Sequence, residues 1–217
     1  MVLLSSSLHF PKPSEANVDG LLALGGDLSC ERLLLAYNNG IFPWYEEGQP
    51  ILWWSPDPRM ILFPKKLRVS KSLQKTINSG KFKVTFNTAF SEVIENCSAV
   101  KRGKQLGTWI TNEMKKGYIE LHGKGHVISV EVWNEGALVG GLYGVDLPDR
   151  QVFCGESMFS KENDASKVGF CSLVSHLKKK RYRFIDCQIY TAHLESLGAE
   201  EISRSDFLQL LDNTKLV

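Results

Sequence analysis

The chain has 217 residues, 43% of them hydrophobic, and a formal net charge of +2 at pH 7, which is typical of a globular protein of one or two domains. No apolar run approaches the roughly 20 residues of a membrane helix, and the N-terminus lacks the basic and apolar regions of a signal peptide. Five widely spaced cysteines without a CxxC pair argue against a zinc ribbon and a disulfide framework, so we expect the reducing cytoplasm.

The first region carries one helix and an unusual aromatic segment. The helix is predicted to start after Ser29, a good N-cap residue, and to end at Gly40. Residues 40–59, GIFPWYEEGQPILWWSPDPR, hold three of the five tryptophans and four of the eight prolines. Because proline removes a backbone donor and fixes φ, we expect a stiff loop without regular strands, either a core corner or a platform for a flat ligand.

The pattern changes near Asp57-Pro58, where we place the boundary between a small N-terminal domain (1–57) and a larger one (58–217). In the larger domain, MILFP and FKVTFN predict strands on either side of a helix that ends at Gly80. AFSEVIENCS and TNEMKKGYIELHGKG predict two more helices. Alternation in ISVEVW, ALVGGLYGV and QVFCGESMF predicts a three-stranded antiparallel meander, followed by the helix DASKVGFCSLVSHLKKKR, the strand YRFIDCQIY and the helix SDFLQLLDN. This mixture predicts an α+β fold around a largely antiparallel sheet.

Positive charge is concentrated in two stretches of the larger domain. Residues 58–91 contain no acidic residue, and a second basic run covers residues 178–183. The cations of the first stretch are Lys65, Lys66, Arg68, Lys71, Lys75, Lys81 and Lys83. Each run is either a solvated face or, beside exposed aromatic residues, a surface for a polyanion such as nucleic acid.

Two polar interruptions of predicted strands are candidate sites. In FIDCQ, alternation puts Asp186 and Gln188 on one face and Ile185 and Cys187 on the other. In FCGESMFS, Glu156 follows a glycine that indicates a bulge or a close backbone approach. Each could also be a strand end that reaches water, whereas the two together would fit a shared cleft. Ser157 lacks the GxSxG context of a nucleophile, and the histidines lack metal-ligand spacing.

At this point the chain resembles the leucyl/phenylalanyl-tRNA–protein transferase family over nearly its whole length. The segments that carry the resemblance are GLLALGGDLS (20–29), AYNNGIFPW (36–44), ILWWSPDPR (51–59), GTWI (107–110), HVISVEVW (126–133), LVGGLYGV (138–145), FCGESMFS (153–160), ASK (165–167) and IDCQ (185–188). Several of them are long and unusual in composition, so chance agreement is remote.

The resemblance implies a GNAT-like acyltransferase domain preceded by a small N-terminal domain. It implies transfer of Leu, Phe or Met from aminoacyl-tRNA to the N-terminal Arg or Lys of a protein, which marks that protein for degradation in bacteria. It implies no metal or small-molecule cofactor, and we expect a cytoplasmic monomer without a membrane partner.

The resemblance also implies roles for particular residues. Asp186 would polarise Gln188, which helps to take the proton of the acceptor amine, or both would orient that amine, and Glu156 would lie at the reaction centre. The apolar pocket for the donor side chain would comprise Leu142, Phe153, Met158, Phe170, Leu173 and Ile185. The terminal adenosine would stack on Trp44 and Trp109. Contacts to tRNA would come from Lys65, Lys66, Arg68, Lys71 and Lys75, although Asn78 and Ser79 stand where further cations are expected.

Two other functions compete with this interpretation. One is a non-catalytic tRNA- or RNA-binding module with the same aromatic platform, against which the intact Glu156, Asp186 and Gln188 argue. The other is an acyl-CoA-dependent N-acyltransferase. Such enzymes hold pyrophosphate in a Q/R-x-x-G-x-G/A loop at a helix N-terminus, and no such loop follows the meander.

Overall fold

A computed structural model describes residues 2–100 and 110–212, which form two β-sheets and the helices around them. The small sheet has the strand order β1-β2-β4-β3, with β1 and β2 parallel and the other pairs antiparallel. Its strands are β1 (Val2–Leu4), β2 (Leu21–Gly25), β3 (Phe42–Pro43) and β4 (Leu52–Trp54).

The aromatic segment does contain strands, so the prediction of a wholly irregular loop was wrong. The central strand β4 carries no proline and pairs with both β2 and β3. Pro43 lies in β3 at the edge of the sheet, where a missing backbone donor is tolerated. Proline therefore limited the length and position of these strands without preventing them.

The large sheet has seven strands in the order β11-β5-β10-β9-β8-β7-β6. They are β5 (Arg59–Leu62), β6 (Lys83–Phe86), β7 (Val127–Asn134), β8 (Ala137–Leu147), β9 (Val152–Ser160), β10 (Phe184–Gln188) and β11 (Glu200–Ile202). Every neighbouring pair is antiparallel except β9 and β10. The predicted α+β class with a largely antiparallel sheet and a β7–β8–β9 meander is confirmed.

The two parallel strands separate part-way along their length. They pair at Val152–Phe184, Phe153–Ile185 and Cys154–Asp186 and no further. Beyond this point β9 continues against β8, and β10 continues against β5. The sheet therefore opens into a fork, and it is at this fork that the chain leaves room for a ligand.

The helices begin largely where the sequence predicts them. They are α1 (Cys30–Asn38), α2 (Lys71–Asn78), α3 (Phe90–Ser98), α4 (Asn112–Gly123), α5 (Ala165–Lys179), α6 (Ala192–Ser196) and α7 (Arg204–Asp212). The hydroxyl of Ser29 caps α1 as expected, and Ser70 and Thr111 cap α2 and α4 in the same way. The short elements β1, β2, α6 and β11 were not predicted, because each has too few residues to show a clear periodicity of hydrophobic positions.

Both faces of the large sheet are buried. One face packs against α5 and α2 through residues such as Phe153, Leu173 and Ile185. The other packs against α1, α3, α4, α7 and the small sheet, so the two predicted domains share one hydrophobic cluster. The small sheet ends at Trp54 and the large one begins at Arg59, although the division at Asp57-Pro58 stays a prediction. No helix within the described ranges is both long and apolar enough to cross a membrane.

Candidate active site

The fork between β9 and β10 contains a cavity of about 510 Å³. It is lined by side chains from the large sheet, α5, α6 and the aromatic segment. Its lining residues are Phe42, Pro43, Trp44, Leu142, Tyr143, Phe153, Gly155, Glu156, Ser157, Met158, Phe170, Leu173, Ile185, Cys187, Gln188, Ile189, Thr191, His193 and Leu194. The wall is largely apolar, with a few polar groups gathered at one place, which is the usual composition of a small-molecule site.

The structure brings the predicted apolar pocket together. The six residues expected there all line the cavity, and they are Leu142, Phe153, Met158, Phe170, Leu173 and Ile185. Trp44, which was expected to stack on the terminal adenosine, lines the same cavity. Trp109 lies outside the described residues. The sequence did not indicate Phe42, Leu194 or His193, since the short elements that carry them were not recognised.

Trp44 is held at the cavity by its neighbour in the small sheet. The indole N–H of Trp54 donates to the Trp44 carbonyl at 2.6 Å, and the two rings lie 5.8 Å apart at 57°. Trp53 is fully buried, and its N–H donates to the carbonyl of Gly25. Trp54 thus fixes the position of Trp44 directly, whereas Trp53 fills the core of the small sheet.

Glu156 lies at the polar end of the cavity because β9 bulges there. Tyr143 pairs with Ser157 and Gly144 with Gly155, which leaves Glu156 as the extra residue. The glycine before Glu156 predicted this bulge. A bulge turns successive side chains away from strict alternation, so both Glu156 and Ser157 face the cavity.

Glu156 is buried and bound by two hydrogen-bond donors. The Tyr118 hydroxyl donates to Oε2 at 2.8 Å, and Nε2 of Gln188 donates to Oε1 at 2.7 Å. Burial raises the pKa of Glu156 to about 7, although the bonds from Tyr118 and Gln188 and the nearby Tyr37 hydroxyl favour the carboxylate and offset part of the rise. A carboxyl group with this pKa exchanges protons at neutral pH.

A second tyrosine extends the network into the N-terminal region. The hydroxyls of Tyr37 on α1 and Tyr118 on α4 are 2.5 Å apart, and both side chains are fully buried. Burial and the nearby Glu156 raise both tyrosine pKa values well above the ordinary value, so both hydroxyls keep their protons. The sequence analysis assigned no polar role to either tyrosine. The missed signal is that a buried tyrosine hydroxyl needs a partner.

Gln188 reaches the cavity through an irregularity in β10. The pairing with β5 shifts between Asp186 and Gln188, and Gln188 has φ of 65°. As a result Ile185, Cys187 and Gln188 all line the cavity, whereas Asp186 does not. The prediction that Asp186 and Gln188 share a face was therefore wrong, because strict alternation ends at the bulge.

Asp186 is bound to Arg59, which sequence reasoning did not single out. Nε and Nη2 of Arg59 donate to Oδ1 and Oδ2 of Asp186 at 2.8 and 2.7 Å. The backbone N–H of Gln188 also donates to Oδ1, at 3.0 Å. Asp186 thus contacts the main chain of Gln188, while the amide side chain of Gln188 contacts Glu156.

The cysteines near the fork are poor nucleophiles. Cys187 lines the cavity and Cys154 lies beneath it, and both are buried. Burial and the nearby Asp186 raise the pKa of each thiol well above its usual range. Since the thiolate is the reactive form, neither thiol is suited to form a covalent thioester.

The predicted basic residues form an exposed group around the start of α2. Lys65, Lys66, Arg68, Lys71 and Lys75 are all exposed. Lys66 pairs with Glu200 at 2.6 Å. The backbone N–H of Arg68 donates to the Leu197 carbonyl, which ties this segment to the α6 region that lines the cavity.

In the second basic run, Arg183 donates to the carbonyls of Arg150 and Leu210 and thus has a structural role.

Comparison with known proteins assigns both parts of the chain. Residues 61–212 match the family described as leucyl/phenylalanyl-tRNA protein transferase, and residues 26–57 match the N-terminal domain of the same family. A leucyl/phenylalanyl-tRNA–protein transferase of Christiangramia forsetii is 57% identical over 97% of this chain and 100% of its own length. Another, from Flavobacterium psychrophilum, is 59% identical over 97% and 99%. Among solved structures, a GCN5-related N-acetyltransferase from Kribbella flavida is similar with a TM-score of 0.39 and 8% identity, over 78% of this chain and 60% of its own.

Proposed function

The chain belongs to the leucyl/phenylalanyl-tRNA protein transferase family, and we propose that it transfers Leu, Phe or Met from aminoacyl-tRNA to the N-terminal Arg or Lys of a protein. One observation carries the mechanism. An apolar cavity ends at a buried carboxyl group whose pKa is about 7. Such a site can hold an apolar side chain at one end and accept a proton from an amine at the other.

The apolar end of the cavity fits the donor side chain. Leu142, Met158, Phe170 and Leu173 line it. An apolar wall discriminates by only about 1–3 kcal/mol per methylene. We therefore expect Leu, Phe and Met to be accepted with modest differences and charged side chains to be rejected, because burying an unpaired charge is costly.

The polar end fits the reacting groups. The aminoacyl ester is already activated, and an α-amino group has a pKa near 7.7–8.0, so a weak base suffices. The acceptor nitrogen attacks the ester carbonyl carbon, the C–N bond forms, and the bond to the ribose oxygen breaks. In our proposal Glu156 takes the proton that the amine releases and passes it to the leaving ribose oxygen. Gln188, which donates to Glu156 at 2.7 Å, orients the carboxylate.

The remaining surfaces fit the rest of the tRNA. Trp44 offers an aromatic face at the cavity, and stacking of a base is worth roughly 1–3 kcal/mol. The exposed cations Lys65, Lys71 and Lys75 fit a phosphate backbone and predict a salt-dependent donor affinity. We further propose that the enzyme acts as a cytoplasmic monomer and that its N-terminal domain ends at Asp57.

Transfer of labelled leucine from charged tRNA to an Arg-ended peptide tests the proposal. We expect product with Arg- and Lys-ended peptides and none with an Ala-ended peptide, which is the matched control. Binding of charged tRNA without transfer would favour a non-catalytic RNA-binding protein instead. Acyl transfer from an acyl-CoA in the absence of tRNA would favour the N-acyltransferase alternative.

A further inference from the structure

We propose that Arg59 is a positioning residue for the transfer reaction and that it acts through Asp186 on the main chain at Gln188. The inference rests on the proposed transferase function. In this proposal Asp186 stabilises the backbone bend at Gln188. It does not polarise the Gln188 side chain.

Arg59 is built into the protein interior. Its side chain is 1% exposed and binds both carboxylate oxygens of Asp186. The guanidinium carbon lies 4.8 Å from the ring centre of Phe42 and 4.5 Å from that of Phe207. The planar group is thus held between a strand of the small sheet, the terminal helix α7 and β10. Its geometry leaves little freedom to move during a reaction.

Both carboxylate oxygens of Asp186 accept hydrogen bonds. Within the described residues its hydrogen bonds go to Arg59 and to the backbone N–H of Gln188. The Gln188 amide nitrogen instead donates to Glu156. Among the described residues, no hydrogen bond joins the Asp186 carboxylate to the Gln188 side chain, so Asp186 cannot polarise that amide through a direct contact.

The bond from Asp186 stabilises an unfavourable backbone conformation. Gln188 has φ of 65°, a left-handed value that is rare outside glycine. The same point carries the register shift against β5. A side-chain oxygen that accepts the N–H two residues later holds such a bend, and the bend directs Gln188 towards Glu156. Arg59 offsets the cost of the buried charge on Asp186, which is exposed by only 1%.

A paired substitution separates position from charge. In Arg59→Gln with Asp186→Asn, both charges are removed. The asparagine side chain that replaces Asp186 still offers an oxygen to the Gln188 N–H. The glutamine side chain that replaces Arg59 still offers a hydrogen-bond donor to this asparagine. We expect Asp186→Asn alone and Arg59→Gln alone to lower kcat at least about thirtyfold, because each leaves a buried charge unpaired. The double variant should recover at least tenfold over Asp186→Asn, with the pH profile of the wild type.

Arg32→Gln is the matched control. Arg32 is equally buried, binds the carbonyls of Ser5 and Ser7, and lies 5.9 Å from the Phe10 ring, away from the cavity. Its loss should lower the melting temperature without changing kcat per folded molecule. A folded double variant that is as inactive as Asp186→Asn would overturn the proposal, since charge would then be what matters. An unchanged kcat in Arg59→Gln would overturn it equally.

A second measurement does not depend on transfer. In a crystal structure of Arg59→Gln we expect Gln188 to leave the left-handed region and to lose its hydrogen bond to Glu156, and a retained bond would contradict the proposal. The wild-type enzyme is the reference throughout. If it transfers no amino acid from charged tRNA, the proposed function fails, whereas the crystal structure still decides the role of Arg59.

Discussion

Two buried glutamates of the large sheet have opposite acid–base character. Glu131 on β7 accepts bonds from the hydroxyls of Ser129, Thr85 and Thr88 at 2.5, 2.7 and 2.8 Å. Burial raises its pKa, but these bonds together outweigh burial and lower the pKa below the ordinary value. Glu156 on β9 is also little exposed to solvent, but its carboxyl group lies in a more strongly desolvated environment, and burial raises its pKa to about 7.

The difference lies in how strongly each carboxyl group is desolvated, in its donors and in what it faces. Glu131 is surrounded by hydroxyls on β6, β7 and the turn after β6, and it lies outside the cavity at the fork. Glu156 receives one hydroxyl and one amide and forms part of the cavity wall. A carboxylate saturated with donors is a fixed anion that holds strands together. One with few donors beside a cavity can exchange its proton with a ligand.

The largest expected difference between the two glutamates is in catalysis. Glu156→Gln removes the proposed base, so we expect single-turnover transfer at pH 7 to fall by about 10²–10⁴-fold. Glu131→Gln should leave the rate per folded molecule within about twofold and lower stability by about 1–3 kcal/mol instead. Single-turnover assays with charged tRNA, corrected for the folded fraction by circular dichroism, measure both. If both variants lost the same factor in transfer rate, the proposed functional difference between Glu156 and Glu131 would be wrong.

The pH dependence of stability should also have opposite signs. The folded pKa of Glu156 is raised, so the native state binds more protons between pH 4.5 and 7, and its contribution to stability is lost as pH rises through this range. The shift corresponds to on the order of 3 kcal/mol. The lowered pKa of Glu131 stabilises the fold above pH 4.5, and this contribution is lost as pH falls through its folded value.

Urea unfolding between pH 3 and 8 measures the two contributions separately. Glu156→Gln should remove the decline in free energy of unfolding between about pH 4.5 and 7. Glu131→Gln should leave that decline in place and reduce the loss at acid pH. A wild-type decline that persists in Glu156→Gln would mean that another group is responsible for it.

The apolar wall of the site and the polar residues Glu156 and Gln188 could be predicted from the sequence, whereas the partners that bind the polar groups could not. Leu142, Phe153 and Leu173 belong to long elements with clear periods, and the motifs around them resemble those of the family. Arg59 meets Asp186 across 127 residues, and Tyr118 meets Glu156 across 38. Such contacts depend on strand order and on two bulges, and neither leaves a periodic signal in the sequence.

A smaller effect should follow from removing one donor of Glu156. Tyr118→Phe deletes the hydroxyl that favours the carboxylate, so the pKa of Glu156 should rise further above its ordinary value. We expect transfer at pH 7 to fall by about tenfold and the loss to shrink as pH rises. Tyr45→Phe is the control, since its buried hydroxyl binds Thr111 instead. A loss independent of pH would make Tyr118 a packing residue only.

The smallest effect on transfer is expected from Ser129→Ala, which makes Glu131 more like Glu156. Oε1 of Glu131 loses its donor, and its pKa should rise towards the ordinary value because burial is then less fully opposed. We expect a cost of about 1–3 kcal/mol in free energy of unfolding at pH 7 and a midpoint of acid unfolding at higher pH. Transfer per folded molecule should not change, because Glu131 lies outside the cavity proposed to receive the substrate. If Ser129→Ala lowered transfer as Tyr118→Phe does, the two carboxylates would be coupled through β7 and β8, and the number of donors alone would not explain their difference.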